Sequence, residues 1–155
     1  MLYRTIYSGA KALGGASHTQ LLAVMRLAHG FGVARSADLA ARLLSDAACE
    51  ELAWDTVEAV CALPEACRQS PAFAAMLAAV EERMQRELGD LDAAMQDEQA
   101  RRRLVALPLP TLCALLCDPR TRASCEATAL AVASAWFADP AAAEQRQRPG
   151  VREQQ

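Results

Sequence analysis

Cysteine and histidine are the residues of this chain whose chemistry would be easiest to recognise. The six cysteines (Cys49, Cys61, Cys67, Cys113, Cys117 and Cys125) include no C-x-x-C pair, and neither His18 nor His29 lies near a cysteine cluster in the sequence. A zinc site needs a tighter ligand set than this. A Cys–His catalytic pair can be drawn with His29, but no local signature supports it. We therefore expect no metal site, and thiols that are reduced and mostly packed as small apolar residues.

Acidic pairs and a glycine-rich loop are the remaining features that could support catalysis. Glu50–Glu51 and Glu81–Glu82 are adjacent in sequence, so the two carboxylates of each pair point to different faces of a helix. Both pairs are expected to be solvated. The stretch "ALGGAS" lacks the lysine and the preceding strand of a phosphate-binding loop. These observations predict a protein that is not an enzyme and has no cofactor.

Composition favours helices throughout the 155 residues, which include 35 alanines and 15 arginines but one lysine. No run alternates apolar and polar residues long enough to predict a strand. We predict an all-α fold, an antiparallel helical bundle of short helix pairs without a sheet. The net charge is −3, and the basic triplet Arg101–Arg103 is expected to be a solvated helix face, so no nucleic-acid partner is predicted. No apolar run approaches the length of a membrane span, and the first residues lack the order of a secretory signal.

Local signals place several helix boundaries. Ser17 or Thr19 can cap a helix that Gly30 and Gly32 close, and Ser36 is expected to open the next one. Pro64 should divide a helix pair whose buried residues are Trp54, Val57, Val60 and Leu63. The clearest amphipathic stripe runs from Phe73 to Leu88 and ends at Gly89. From there Asp90 should cap one surface helix, "LDAAMQDEQARRRLVA", and a short helix, "LPLPTLCALLC", should follow it.

The segment "LPLPTLCALLCDPRTRASCEATALAVASAW" resembles the signature of the BACK domain, the helical module that follows BTB/POZ domains. That family has a Leu-Pro-Leu element, an apolar helix, a polar loop with Ser-Glu, and a tryptophan ten residues after the glutamate. Cys125 stands where the family has the capping serine, so Ser124 would take that role one position early. The resemblance marks these signature and core residues: Leu107, Pro108, Leu109, Leu112, Leu116, Glu126 and Trp136.

Two stretches nearer the beginning resemble the end of a BTB domain. "LYRTIYSGA" is similar to a late BTB helix, and "LLAVMRLAHGFGVARSADLAARLL" is similar to the two helices that close the domain. The segment from Ala53 to Leu88 is similar to the longer BACK start of plant light-response-type BTB/POZ proteins. We expect the C-terminal helices of a truncated BTB domain at 1–46, a BACK-like domain at 47–138 and a disordered tail at 139–155. Since the BTB sheet would precede Met1, a late-helix stripe is a candidate partner surface: Leu2, Tyr3, Ile6 and Tyr7.

The resemblance implies a non-catalytic adaptor. BTB–BACK proteins hold substrates near cullin-RING ubiquitin ligases, so the implied partners are a cullin scaffold and a ubiquitination substrate, with homodimerisation possible and a cytoplasmic or nuclear location. The alternative is a helical scaffold or oligomerisation protein that has lost cullin binding because the BTB sheet is absent.

Overall fold

The computed structural model describes residues 13, 15–46 and 52–140. The stripe formed by Leu2, Tyr3, Ile6 and Tyr7 lies outside these residues, as do Cys49 and the predicted tail after Pro140. The described residues form nine α-helices, one 3₁₀ helix and no strand, which confirms the all-α prediction. The helices are α1 His18–Gly30, α2 Ala34–Asp46, α3 Trp54–Cys61, α4 Glu65–Arg68, α5 Ala74–Leu88, α6 Leu91–Gln96, α7 Glu98–Ala106, α8 Leu109–Cys117 and α9 Glu126–Ala138; the 3₁₀ helix is Pro71–Phe73.

Contacts divide the chain into two compact units, one ending at Arg83 and the other beginning at Met84. This division falls within α5. The predicted boundary at residue 46 adjoins the undescribed residues 47–51 and stays a prediction.

The first unit is built around α1, which packs against α2, α3 and α4. Ser17 begins α1 with a capping box: its side chain accepts from the Gln20 amide, and the Gln20 side chain accepts from the Ser17 amide. Gly32, with φ of 69°, turns the chain directly after α1. Along this surface Ala28, Ala40 and Ala41 have no exposed area, so small side chains let α1 and α2 approach closely.

Two prolines determine where the helices end and begin in the rest of the first unit. Pro64 ends the α3 segment and precedes α4, as predicted, and the four residues expected to be buried (Trp54, Val57, Val60 and Leu63) are all buried. Pro71 lies at the first position of the 3₁₀ helix, where its missing amide hydrogen costs no helical bond. That turn carries Phe73 into the core, where it has no exposed surface.

The second unit packs α9 against α6 and α7, which also contact each other. Asp90 caps α6 by accepting from the Ala93 amide at 3.0 Å, as predicted. The fully buried residues of this unit include Leu88, Leu91, Leu104, Leu107 and Trp136.

Two predicted helix boundaries are wrong. The predicted surface helix from residue 91 to 106 is two helices, because Asp97 is extended and accepts from the Ala100 amide at 2.7 Å, which caps a new helix. The helix predicted to begin at Ser36 begins at Ala34, since the Val33 carbonyl already accepts from the Ser36 and Ala37 amides. The buried residues of α2 are Ser36, Ala40, Ala41 and Leu44, whereas Leu39 and Leu43 are half-buried.

Gly89 and Gly30 give a matched pair of glycine-to-alanine substitutions. A Cβ at Gly89 would collide with the Gln85 backbone carbonyl, whereas a Cβ at Gly30 would meet nothing within 4 Å. Gly89→Ala is expected to lower the free energy of unfolding by about 1–3 kcal/mol through overpacking. Gly30→Ala should leave it unchanged or raise it by up to about 1 kcal/mol. Chemical denaturation measures both, and equal effects would contradict this packing at the end of α5.

Candidate protein-interaction surfaces

Trp136 joins the two ends of the BACK-like signature. Its indole nitrogen donates to the Leu107 carbonyl oxygen at 2.9 Å, and both residues are buried. Leu107 precedes a proline, which holds it in an extended conformation after α7 instead of continuing that helix. The segment between two helices therefore offers a buried carbonyl to a side chain 29 residues further along the chain.

The other signature residues differ in burial. Leu112 lies in the core, and Pro108 and Leu116 are half-buried. Leu109 is 45% exposed because it opens α8 on the solvent side, which differs from its expected place in the core. Glu126 is exposed at the first position of α9, where a carboxylate interacts favourably with the helix dipole.

Asp92 holds the loop before α9 against α6. Its carboxylate accepts from the Ser124 amide at 2.6 Å, from the Ser124 hydroxyl at 3.1 Å and from the Thr128 hydroxyl at 2.7 Å. These hydrogen bonds, the one from Thr128 first, hold the pKa of Asp92 below its ordinary value. Backbone bonds reinforce the junction, since the Arg122 amide donates to Gly89 and the Leu91 amide donates to Arg122.

The start of the same loop is ordered by Asp118 and Thr121. The Arg120 amide and guanidinium donate to the Asp118 carboxylate, with Nη2 to Oδ2 at 2.9 Å. The Thr121 hydroxyl donates to the Leu115 carbonyl at 2.6 Å and accepts from Gln85 at 2.9 Å. The polar loop predicted between the two signature helices is therefore a hydrogen-bonded structure that positions α8 and α9.

Acid should remove the contribution of Asp118 to stability. The hydrogen bonds from Arg120 lower the pKa of the Asp118 carboxyl from 3.8 to about 2, so its contribution is present above pH 3.8 and is lost as the pH falls towards 2. Asp118→Asn should therefore lower the free energy of unfolding at pH 5. Near pH 2 the variant and the wild type should have similar free energies of unfolding. Denaturation curves at both pH values measure this difference; a difference that does not change with pH would contradict it.

The cysteines only partly match the expectation of packed thiols. Among those described, Cys61 and Cys67 are buried, and burial raises the pKa of the Cys67 thiol, whereas Cys113, Cys117 and Cys125 are exposed. Cys125 is the N-cap residue of α9, and the hydroxyl of Thr128, 3.8 Å from its sulfur, lowers the pKa of its thiol. Ser124 does not take over the cap as expected, because its hydroxyl binds Asp92. The described residues contain no group of His, Cys, Asp and Glu that could hold a metal ion.

In the basic triplet on α7, Arg101 and Arg102 are exposed, as expected of a solvated helix face, whereas Arg103 is half-buried. Arg102 pairs with Glu98 one turn earlier on the exposed side of the helix, and Arg103 Nη1 lies 2.6 Å from Glu87 Oε2. The exposed pair between Arg102 and Glu98 contributes little to stability.

Two surfaces of the described residues expose large apolar side chains that the sequence patterns did not single out. Leu27 within α1 is 45% exposed, and Phe31 directly after α1 is 74% exposed. A shallow hollow of about 190 Å³, lined mainly by apolar residues and Arg26, lies between α1 and α3. On α9, Leu130 is 68% exposed and Phe137 is 56% exposed. Leu27 lies off the buried stripe of α1, so a helical projection could have found it, whereas α9 is apolar all round and a projection gives no contrast there.

Comparisons with protein-family models, with curated proteins and with solved structures found no match. In the part of the chain that the structure describes, no helix has the length and apolar character needed to cross a membrane.

Proposed function

We propose that this chain is a BTB–BACK-type protein-interaction module that acts as a non-catalytic substrate adaptor of a cullin-RING ubiquitin ligase. The observation that carries the proposal is the buried hydrogen bond between Trp136 and Leu107. It connects the two most distinctive parts of the BACK-like signature, the Leu-Pro-Leu element and the C-terminal tryptophan. The resemblance predicts that these two parts pack in one core, and the hydrogen bond supports that expectation.

The second support is what the polar residues in and around the α8–α9 loop do. Ser124 and Thr128 donate hydrogen bonds to Asp92 at one end of the loop, and Arg120 donates to Asp118 at the other end. These groups are engaged in building a rigid support. An adaptor needs such a support because it acts by placing a substrate near the ligase and makes no covalent bond.

The cullin contact in this proposal lies at the end of α1. The resemblance places the closing BTB helices there, and Leu27 and Phe31 present apolar surface to solvent on successive turns. Aromatic residues that become fully desolvated often dominate a protein interface. Burying Phe31 would contribute roughly 1.5–3 kcal/mol to binding from its area alone.

The test is binding of the purified chain to the N-terminal domain of the cullin that BTB proteins use, measured in solution by calorimetry. We expect saturable binding that Phe31→Glu weakens about tenfold or more, which corresponds to about 1.4 kcal/mol. Leu109→Glu is the matched control, because Leu109 is also an exposed apolar residue but lies in the second unit. Circular dichroism checks that both variants stay folded.

Absence of cullin binding by the folded wild-type chain would overturn the adaptor proposal. Equal weakening by Phe31→Glu and Leu109→Glu would overturn the proposed contact surface. The alternative of a helical scaffold without cullin binding is favoured by a separate observation, the exposed apolar surface of α9.

A further inference from the structure

Two cysteines share the exposed side of α8. Cys113 and Cys117 are four residues apart within this helix, both are exposed, and neither forms a disulfide. Residues at this spacing are neighbours on one face of a helix, with their Cβ atoms about 5–6 Å apart. No other two cysteines of the sequence have this spacing. The two thiols therefore form a pair, unlike the thiol of Cys125, which is alone at the start of α9.

The opposite side of α8 fixes the direction of this pair. Leu112 and Leu115 are buried in the second unit, and the Thr121 hydroxyl donates to the Leu115 carbonyl oxygen at 2.6 Å. These contacts hold the helix against the core, so the two thiols stay on the solvent side. No residue of α8 is charged, so no other side chain of this helix pairs with a thiolate.

The distance between the two side chains suits a shared metal ion better than a disulfide. A disulfide needs Cβ atoms about 3.5–4.5 Å apart, which is closer than neighbouring turns of an intact helix allow. A thiolate sulfur lies about 2.3 Å from a bound zinc ion, so an ion of similar size held in line between two thiolates separates the sulfur atoms by about 4.6 Å. Sulfur atoms that extend from Cβ atoms about 5–6 Å apart can reach that separation without a change in the backbone.

The number of ligands selects the ion. Structural zinc takes four protein ligands, and the metal sites excluded above are those that need a group of three or more His, Cys, Asp or Glu residues. Monovalent copper is a soft ion that prefers thiolates, and two of them in line satisfy it. We propose that Cys113 and Cys117 bind one monovalent copper ion between their sulfur atoms. Binding replaces two S–H bonds by two S–Cu bonds and releases two protons, and the copper keeps its oxidation state.

Exposure of both sulfur atoms determines how the site works. Because the pair faces solvent, a thiol of another molecule can approach the ion, bond to it and displace one of the two cysteines. Each displacement exchanges one S–Cu bond for another, and the proton of the incoming thiol passes to the cysteine that leaves. The site therefore suits the exchange of copper with a thiol-bearing molecule.

Anaerobic titration of the reduced full chain with monovalent copper tests the proposal, with bicinchoninate as the coloured competitor for the ion. The wild type is expected to bind one tightly held copper ion per chain. Cys113→Ser and Cys117→Ser should each weaken binding by about a hundredfold or more, because loss of one thiolate removes the gain from binding at two points. Cys125→Ser is the matched control, since it removes an exposed thiol outside the pair, and it should bind copper as the wild type does. Wild-type binding no tighter than that of Cys113→Ser, or equal weakening by Cys125→Ser, would overturn the proposal.

A shifted pair tests the spacing itself. Pro110→Cys combined with Cys113→Ser keeps two cysteines on α8, at positions that are exposed, but separates them by seven residues, about 10.5 Å along the helix. One ion cannot join thiolates this far apart, so the double variant should bind copper as weakly as Cys113→Ser does, and circular dichroism checks that it stays folded. Tight binding by the double variant would contradict a site that depends on one helical turn. No measurement here involves a cullin, so this proposal and the adaptor function can fail separately.

Discussion

Replacing Trp136 by alanine is expected to lower the free energy of unfolding by about 3–5 kcal/mol, which is the usual cost of emptying a large buried aromatic site. Trp136 is almost fully buried in the second unit. Trp136→Phe keeps most of the ring but removes the indole donor, which leaves the Leu107 carbonyl buried without that hydrogen bond. A loss of about 1–3 kcal/mol is expected from that substitution.

Phe137 is the control on the same helix. It follows Trp136 directly and is 56% exposed, and the two rings are edge-to-face with centroids 5.2 Å apart. Phe137→Ala should cost clearly less than Trp136→Ala, because more than half of the Phe137 side chain is already exposed to solvent. Denaturation curves for the three variants measure these differences. A Trp136→Ala loss that is no larger than that of Phe137→Ala would contradict the core described for the second unit.

Replacing Phe73 by alanine is expected to cost a similar amount, about 3–5 kcal/mol, in the first unit. Phe73 has no exposed surface, and the turn that carries it begins with Pro71 and is joined to α2 by a hydrogen bond from the Ser45 hydroxyl to the Ala72 carbonyl at 2.8 Å. The turn is held on both sides, so the structure cannot easily collapse into the cavity. Urea denaturation measures the loss.

Phe31→Ala makes the same chemical change in the same unit at an exposed position. Phe31 is 74% exposed, so the substitution should change the free energy of unfolding by about 0.5 kcal/mol or less. If the two phenylalanine variants lost equal stability, Phe73 would not occupy the core position described here.

The helix boundaries that the sequence predicted correctly are those that depend on neighbouring residues. Ser17, Asp90, Pro64 and Gly89 act on amides, carbonyls or backbone angles within one turn of themselves. The buried stripe of α5 was also predictable, because its spacing is regular and its outer side is charged. Asp97 gave the same kind of capping signal as Asp90, and it was missed because the surrounding sequence is rich in helix-forming residues.

The hydrogen bonds of Asp92 and the exposed apolar side of α9 were less predictable, because both depend on distant parts of the chain. Asp92 binds Ser124 and Thr128, which follow it by 32 and 36 residues, and no local pattern identifies such a pairing. The side of α9 that faces solvent was equally hidden, since alanine-rich sequence around the whole helix gives no contrast between a buried and an exposed side. Burial of Trp136 and exposure of Leu130 are set by where α6 and α7 pack.

Hydrogen exchange of the Trp136 indole proton measures directly whether the Leu-Pro-Leu segment and Trp136 form one closed core. We expect this proton to exchange about as slowly as the most protected backbone amides of the second unit, because it is released only when the core opens. Trp136→Phe assigns the signal by removing it, and a nuclear Overhauser contact to Leu107 would locate the acceptor. Exchange at the rate of a solvent-exposed indole would show that the signature does not close one core, and the BACK-like interpretation would fail with it.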